Sequence, residues 1–297
     1  MSAAPIGLIE AGGTKFVLGI ADASGKIGER MRLPTTTPDE TLGAAIAWFA
    51  SRAVKPHALG IAAFGPLDLD PASPTYGCLR ATTKPHWSGA AIARPFAAAL
   101  GIPVALDTDV NGAALAEARW GAGSKTHGGV GHASLLYLTI GTGVGGGFVS
   151  RGELLRGVSH PEMGHILVPR HADDGDFGGV CPFHRDCLEG MASGPAIEAR
   201  WGQSLSELPA DHPAHARIAW YLGRAMVTYQ AIMEPARIVL GGGVMNTPGL
   251  LERVREVAVQ AGGGYFVGDP HSVIITPALG ADAGLLGALA LVLRSTS

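Results

Sequence analysis

Short β-branched and aliphatic runs alternate along this chain with alanine-rich stretches whose apolar residues recur at helical spacing. "IGLI" (6 to 9), "FVLGIAD" (16 to 22), "ALGIAAF" (58 to 64) and "IPVALD" (102 to 107) predict strands. Between them "PDETLGAAIAWFASRA" (38 to 53) and "GAAIARPFAAALG" (89 to 101) predict helices, the first opened by Pro38 and the acidic Asp39 and Glu40. This alternation is that of an α/β unit. After a further helix, "NGAALAEARWGAG" (111 to 123), the pattern restarts with "ASLLYLTIGTGVGGGFVS" (133 to 150), "ARIVLGGG" (236 to 243) and "SVIITPAL" (272 to 279). A second α/β unit therefore follows the first. "HARIAWYLGRAMVTYQAIMEPARI" (215 to 238) has helical spacing and predicts core.

The two units share a device. "LIEAGGTKFVLGI" (8 to 20) and "YLTIGTGVGGGFV" (137 to 149) each read as strand, Gly-rich turn and strand, hairpins whose bare turn backbone can point N–H groups at phosphate oxygens. The bland alternative is two ordinary Gly-rich hairpins. "GTGVGG" (141 to 146) also satisfies G-x-G-x-x-G, but that fingerprint must open a helix, and the next stretch, "FVSRGELLRG", is β-branched and Gly-bearing. No G-x-x-x-x-G-K-[ST] occurs, so the Rossmann and P-loop classes are set aside.

Composition bounds the setting. With 297 residues, 47% hydrophobic and 16% charged, the chain can bury a large core in one big domain or two moderate ones. Three cysteines exclude a disulfide framework, and "MSAAPIGLIEAGG" lacks the basic start and apolar run of a secretory signal, so a cytoplasmic protein is expected. The most apolar stretch, "GLLGALALVL", is too short to span a bilayer. A net charge of -3 without a Lys/Arg cluster offers no footprint for nucleic acid or an anionic membrane. A small-molecule ligand is expected instead.

Two groups of residues carry chemistry. Asp109 in "ALDTDVNGAAL" (105 to 115) lies past a strand end and before a helix, at the junction of the units, where it reads as a ligand-site carboxylate or as a helix N-cap. Cys181, His184 and Cys187 in "CPFHRDC" give C-x2-H-x2-C, and His165 lies sixteen residues upstream in "HPEMGH". Four such donors complete a structural tetrahedral zinc site, and the polar, Gly-rich "HADDGDFGGVCPFHRD" needs a staple to hold its shape. A core histidine with two buried cysteines is the alternative; a thioredoxin-type pair is excluded, since C-x-x-C is absent.

"EAGGTK", "GTGVGGG", "HPEMGH" and "CPFHRDCLEG", in that order and over nearly the whole chain, resemble the ROK family of sugar kinases, in particular its zinc-containing bacterial fructokinase branch. The resemblance implies an actin-like ATPase fold: two ribonuclease-H-like α/β domains with an active-site cleft between them. Residues 1–110 with about 282–297 would form the small domain and 111–281 the large one carrying the zinc loop. It implies Asp109 as the base that deprotonates a hexose hydroxyl for attack on ATP, and Glu162, His165, Glu189, Gly65 and Thr108 on the sugar side. Gly12, Gly13, Thr14 and Lys15, with Gly141, Thr142 and Gly143, would face phosphates, and Gly241, Gly242 and Gly243 the adenosine. Magnesium is expected near Glu10. Zinc on His165, Cys181, His184 and Cys187 would be structural, tying the loop of Glu189 to the segment of Glu162.

Where many glucokinases of the family have Asp at position 10 and Asn-Asp at 108–109, this chain has Glu10 and Thr108-Asp109. The implied reaction is therefore fructose to fructose 6-phosphate, with mannose, glucose or an N-acetylhexosamine as alternative substrates. The family also contains sugar-sensing repressors, but the first strand begins near Ile6, leaving no room for a DNA-binding module. A homodimer is what the family suggests. Trp87 in "TTKPHWSG" reads as part of a cleft segment or as a packing anchor, and Lys84 beside it as a group reaching sugar or phosphate. Histidines 57, 86, 127, 132, 212, 215 and 271 show no ligand spacing among themselves.

Overall fold

The computed structural model describes residues 4–124 and 134–295; His127 and His132 lie outside the described residues. The chain divides into two compact units, Met1–Arg119 with Leu155–His160 and Leu279–Ser297, and Trp120–Leu154 with Pro161–Ala278. The division follows Arg119 rather than residue 110, so the helix after the last strand of the first unit stays whole.

The first unit holds β1 (Ile6–Ala11), β2 (Lys15–Ala21), β3 (Ile27–Pro34), β4 (Ala58–Ala63) and β5 (Val104–Thr108) in the order β3-β2-β1-β4-β5. β1, β2 and β3 form an antiparallel meander, and β4 and β5 extend it in parallel from β1. Its helices, numbered along the whole chain, are α1 (Pro38–Ala50), α2 (Ala93–Leu100), α3 (Asp109–Arg119) and the last, α9 (Ala283–Ser295). β4 is buried throughout, as a strand covered on both faces must be. α9 lies directly on it: a Cβ on Gly60 would fall 1.9 Å from the Ala288 carbonyl oxygen. Phe49 of α1 is fully buried over Gly7 of β1, and a side chain of that size contributes about 1.5–3 kcal/mol on burial.

The second unit repeats this plan. β6 (Leu135–Ile140), β7 (Val144–Ser150), β8 (Glu153–Leu154), β9 (Arg237–Gly241) and β10 (Ile274–Ile275) run β10-β9-β6-β7-β8. Again three antiparallel strands are followed by two that add in parallel to the first. α4 (Leu188–Ala192), α5 (Gly194–Trp201), α6 (Pro213–Met233), α7 (Leu250–Gly262) and α8 (Pro270–Val273) complete it. α6 supplies much of its core through Ile218, Tyr221, Leu222, Met226 and Tyr229.

Three local departures from expectation have backbone causes. α2 starts at Ala93 because Ala90 and Ile92 pair with the chain at Gly77 and Leu79 instead. The strand expected over 272–279 shrinks to two residues: Asp269 caps the short α8 by accepting the His271 N–H, and Pro277 offers no donor beyond β10. β3, not foreseen, is an exposed edge strand bearing Glu29, Arg30 and Arg32. Among the described residues no helix is long and apolar enough to cross a membrane.

Candidate active site and metal centre

In open α/β sheets ligands bind beyond the carboxyl ends of the parallel strands. In the first unit those ends are Ala11, Ala63 and Thr108, and just beyond them lie Gly12 to Lys15, Gly65 and Asp109. The first turn is pinned from both sides: Gly12 N–H donates to the Lys15 carbonyl at 3.0 Å, and Thr35 donates its hydroxyl to the Gly12 carbonyl at 2.7 Å and its N–H to the Thr14 carbonyl at 3.0 Å. Gly13 has open space where a Cβ would stand, and Thr14 and Lys15 are exposed. Gly65 is exposed as well.

The cap of α3 falls to Thr108, not Asp109. Thr108 is buried and its hydroxyl accepts the Asn111 N–H at 3.2 Å, so its placement lends no support to a sugar contact. Asp109 is partly buried as the first residue of α3, and its Oδ1 accepts the adjacent Val110 N–H at 2.8 Å. Burial raises its carboxyl to about 6, the Val110 N–H opposes that, and the charge of Glu10 raises it further. Glu10, next to last in β1, is itself raised by burial against the opposing charges of Lys15 and Arg32. Its carboxyl lies over the first turn of α9, where a Cβ on Gly284 would come within 2.2 Å of it. The unit thus holds two carboxyls that burial raises, and the charge of Glu10 adds to the rise at Asp109.

In the second unit β6 ends at Gly141–Gly143 and β9 runs out through Gly241–Gly243, side by side. Gly242 has φ +92, and a Cβ there would meet the Ile140 carbonyl oxygen at 2.3 Å, so only glycine fits. Glu189, in the first turn of α4, accepts the Val144 N–H at 2.9 Å through Oε2, which lies 2.7 Å from where a Cβ on Gly143 would be. The second Gly-rich turn and Glu189 are therefore one assembly. Glu162 is exposed at the start of the 3-10 turn Met163–His165, which packs on β7: a Cβ on Gly164 would overlap the Val144 carbonyl. Tyr229 of α6 donates its hydroxyl to the Met163 carbonyl at 2.6 Å and fixes that turn.

His165, Cys181, His184 and Cys187 converge with one donor atom each, all within 4.8 Å of one another. Nδ1 of His165 stands 3.6 Å from Cys181 Sγ and 3.5 Å from Cys187 Sγ, and Nδ1 of His184 3.8 Å from Cys181 Sγ. Two ligands at tetrahedral zinc distances are separated by about 3.6 Å for N and S, so the donor set fits that ion. Both cysteines are buried, and burial pushes the Cys187 thiol up to about 11, which a cation would reverse.

Trp87 is fully buried, donates Nε1–H to the Thr36 carbonyl at 2.7 Å and packs on Phe16 and Phe64, so it is a packing anchor. Lys84 is half-exposed on the same loop. Sequence reasoning missed Asp107, Asn111, Arg156 and His160, which form a linked polar cluster beside Asp109. The polar "DTDVN" held a hint, since it carries three polar residues besides Asp109 across the turn from β5 into α3, where Asp107 accepts the Asn111 side-chain N–H.

The model of the ROK family matches residues 6–295. The chain is 48% identical to a fructokinase of Zymomonas mobilis, covering 97% of this chain and 96% of that one, and 38% identical to a fructokinase of Streptococcus mutans, covering 96% of each. The solved ROK hexokinase of Thermus thermophilus superposes with a TM-score of 0.81 at 29% identity, over 98% of this chain and 99% of that one.

Proposed function

The chain belongs to the ROK family, and from that premise we propose that it is a fructokinase, transferring the γ-phosphoryl group of ATP to the 6-hydroxyl of fructose. The observation that carries the reading is Asp109: a carboxylate at a parallel strand end, freed from capping by Thr108 and raised to about 6, where it is ionised at neutral pH yet basic enough to take a proton. It accepts the hydroxyl proton as the sugar oxygen forms its bond to phosphorus. The bond from phosphorus to the bridging oxygen breaks, and ADP leaves with that electron pair.

The turns Gly12 to Lys15 and Gly141 to Gly143, whose Gly12 and Gly141 N–H groups are taken up within the turns, supply their remaining backbone N–H groups and the Lys15 ammonium for phosphates, and Gly241 to Gly243 a surface without side chains for the nucleoside. Glu162, His165 and Glu189 are assigned to sugar hydroxyls, with one oxygen of Glu189 already held by Val144. Magnesium, bound with the nucleotide beside Glu10, would neutralise phosphate charge. Zinc on His165, Cys181, His184 and Cys187 would fix the loop that leads into α4 and hence Glu189.

The test is kcat/KM with Mg-ATP for fructose, glucose, mannose and N-acetylglucosamine, with the sugar phosphate identified. Fructose should rank first. Preference for an aldohexose would overturn the substrate while leaving the reaction, and absence of turnover with every sugar would overturn the enzyme reading.

A further inference from the structure

Arg156 belongs to a short stretch, Leu155–His160, that is part of the first unit although the chain on either side of it belongs to the second. Three side chains in it are bonded to the first unit. Arg156 forms an ion pair with Asp107, Ser159 accepts the Leu69 N–H on its hydroxyl at 3.2 Å, and His160 Nδ1 lies 3.2 Å from the Asn111 amide nitrogen.

Asp107 is wholly buried and Asn111 is 2% exposed, so each must be satisfied inside the protein. Asp107 Oδ1 accepts the Thr108 N–H at 2.8 Å and the Asn111 side-chain N–H at 2.7 Å, while Oδ2 takes the Arg156 guanidinium. The Asn111 amide cannot be reversed, because its oxygen would then face the Asp107 carboxylate. Its second N–H therefore donates to His160 Nδ1. With Thr108 accepting the Asn111 N–H, residues 107, 108 and 111 form a closed set of bonds around the backbone of residue 109. Asp109 itself bonds to the neighbouring Val110 N–H, so the direction of its carboxylate is set by that backbone rather than by a side-chain partner.

We infer that Arg156 is a positioning residue for Asp109, acting through the Asp107 carboxylate and the Asn111 amide. The inference rests on Asp109 being the base. Without the guanidinium, Asp107 becomes a buried, unpaired anion that must take a proton or draw in another donor, and either change rearranges the two bonds at Oδ1 that hold the start of α3. A base displaced by about 1 Å costs on the order of 100-fold in rate.

The experiment compares the full-length chain with R156M, R156K, D109N and D109N/R156M in steady-state turnover of fructose with Mg-ATP, with fructose affinity by calorimetry and Tm by scanning. R156M should lose about 10- to 100-fold in kcat while the KM for ATP and the fructose Kd stay within about 2-fold, and R156K should recover most of the loss because it keeps the charge. In the D109N background the Met substitution should cost nothing further, as expected of two residues acting as one. A lowered Tm with wild-type kcat overturns the inference and leaves Arg156 a structural residue. An equal loss with and without Asp109 overturns it too, since Arg156 would then act elsewhere. Wild-type turnover in D109N instead removes Asp109 from the mechanism and the inference with it. If R156M does not fold, D107N/R156M, which leaves no unpaired buried charge, carries the same expected loss of kcat, and normal kcat in it overturns the inference.

Discussion

Replacing Asp109 with Asn should lower turnover by orders of magnitude to a residual rate and, at neutral pH, make the protein more stable. A carboxyl at about 6 in the folded chain and at its usual 3.8 in the unfolded one favours the unfolded state wherever it is ionised. Above pH 6 the full difference applies, about 2.2 units or about 3 kcal/mol at pH 7.5. As pH falls through the interval from 6 to 3.8 the folded carboxyl takes its proton first and the penalty fades, to about half at pH 5 and to little at pH 3.8. Asn keeps the acceptor for the Val110 N–H and carries no charge, so it escapes the penalty at every pH. At about 2–4 °C per kcal/mol for a chain of this size, Tm of D109N should exceed wild type by about 6–12 °C at pH 7.5 and by about half that at pH 5. Scanning calorimetry at the two pH values reads both numbers. A Tm equal to or below wild type at pH 7.5, or a difference that does not shrink toward pH 5, would refute the argument that burial raises this carboxyl.

The same carboxyl sets the acid side of the pH–rate profile: kcat/KM should fall about tenfold per unit below pH 6, and in E10Q the fall should begin at lower pH because the charge that raises Asp109 is gone. A fall that stays in place in E10Q, or moves up, counts against the Glu10–Asp109 coupling. The metal reading predicts one zinc per chain by elemental analysis, lost in C187S together with several degrees of Tm; protein from zinc-supplemented growth that contains none would end it.

Local spacing is the part of the structure that was legible in the sequence. Paired glycines between β-branched runs read as tight hairpins, and both Gly-rich hairpins formed in register, Ala11 opposite Phe16 and Ile140 opposite Val144. Donors three residues apart in one loop converge as their spacing predicts, on a cluster that could hold a metal ion, and the helical period over 215–238 appears as the core helix α6, which ends at Met233 before β9 takes residues 237–238. Contacts between distant segments left no such mark. Arg156 is 49 residues from Asp107, and neither residue differs in sequence from a solvated charge. Gly164 looks like any loop glycine until β7 is placed against it, and β3 hides because an edge strand open to water carries no apolar alternation. Thr108 took the cap that Asp109 was equally suited to, a choice one residue wide that propensity cannot resolve.

The repeated strand order makes the difference between the units meaningful. Both sheets run from a Gly-turned hairpin into two added parallel strands, so corresponding positions can be compared. Next to last in the first strand stands Glu10, opposite Val17, in one unit and Thr139, opposite Gly145, in the other. Beyond the fifth strand stands Asp109, opening an eleven-residue helix, against Thr276 and Pro277, which open none. The plan supplies a Gly-rich hairpin turn twice, but the carboxyl pair once. The helix start matters to Asp109, because the Val110 N–H at the start of α3 favours the ionised form and opposes burial and Glu10, which favour the protonated one. A carboxylate left in water near 3.8 would be a poorer proton acceptor, and one buried without the Val110 N–H would be raised further. The opposition of these effects leaves Asp109 between the two, which suits the proton-accepting role proposed for it.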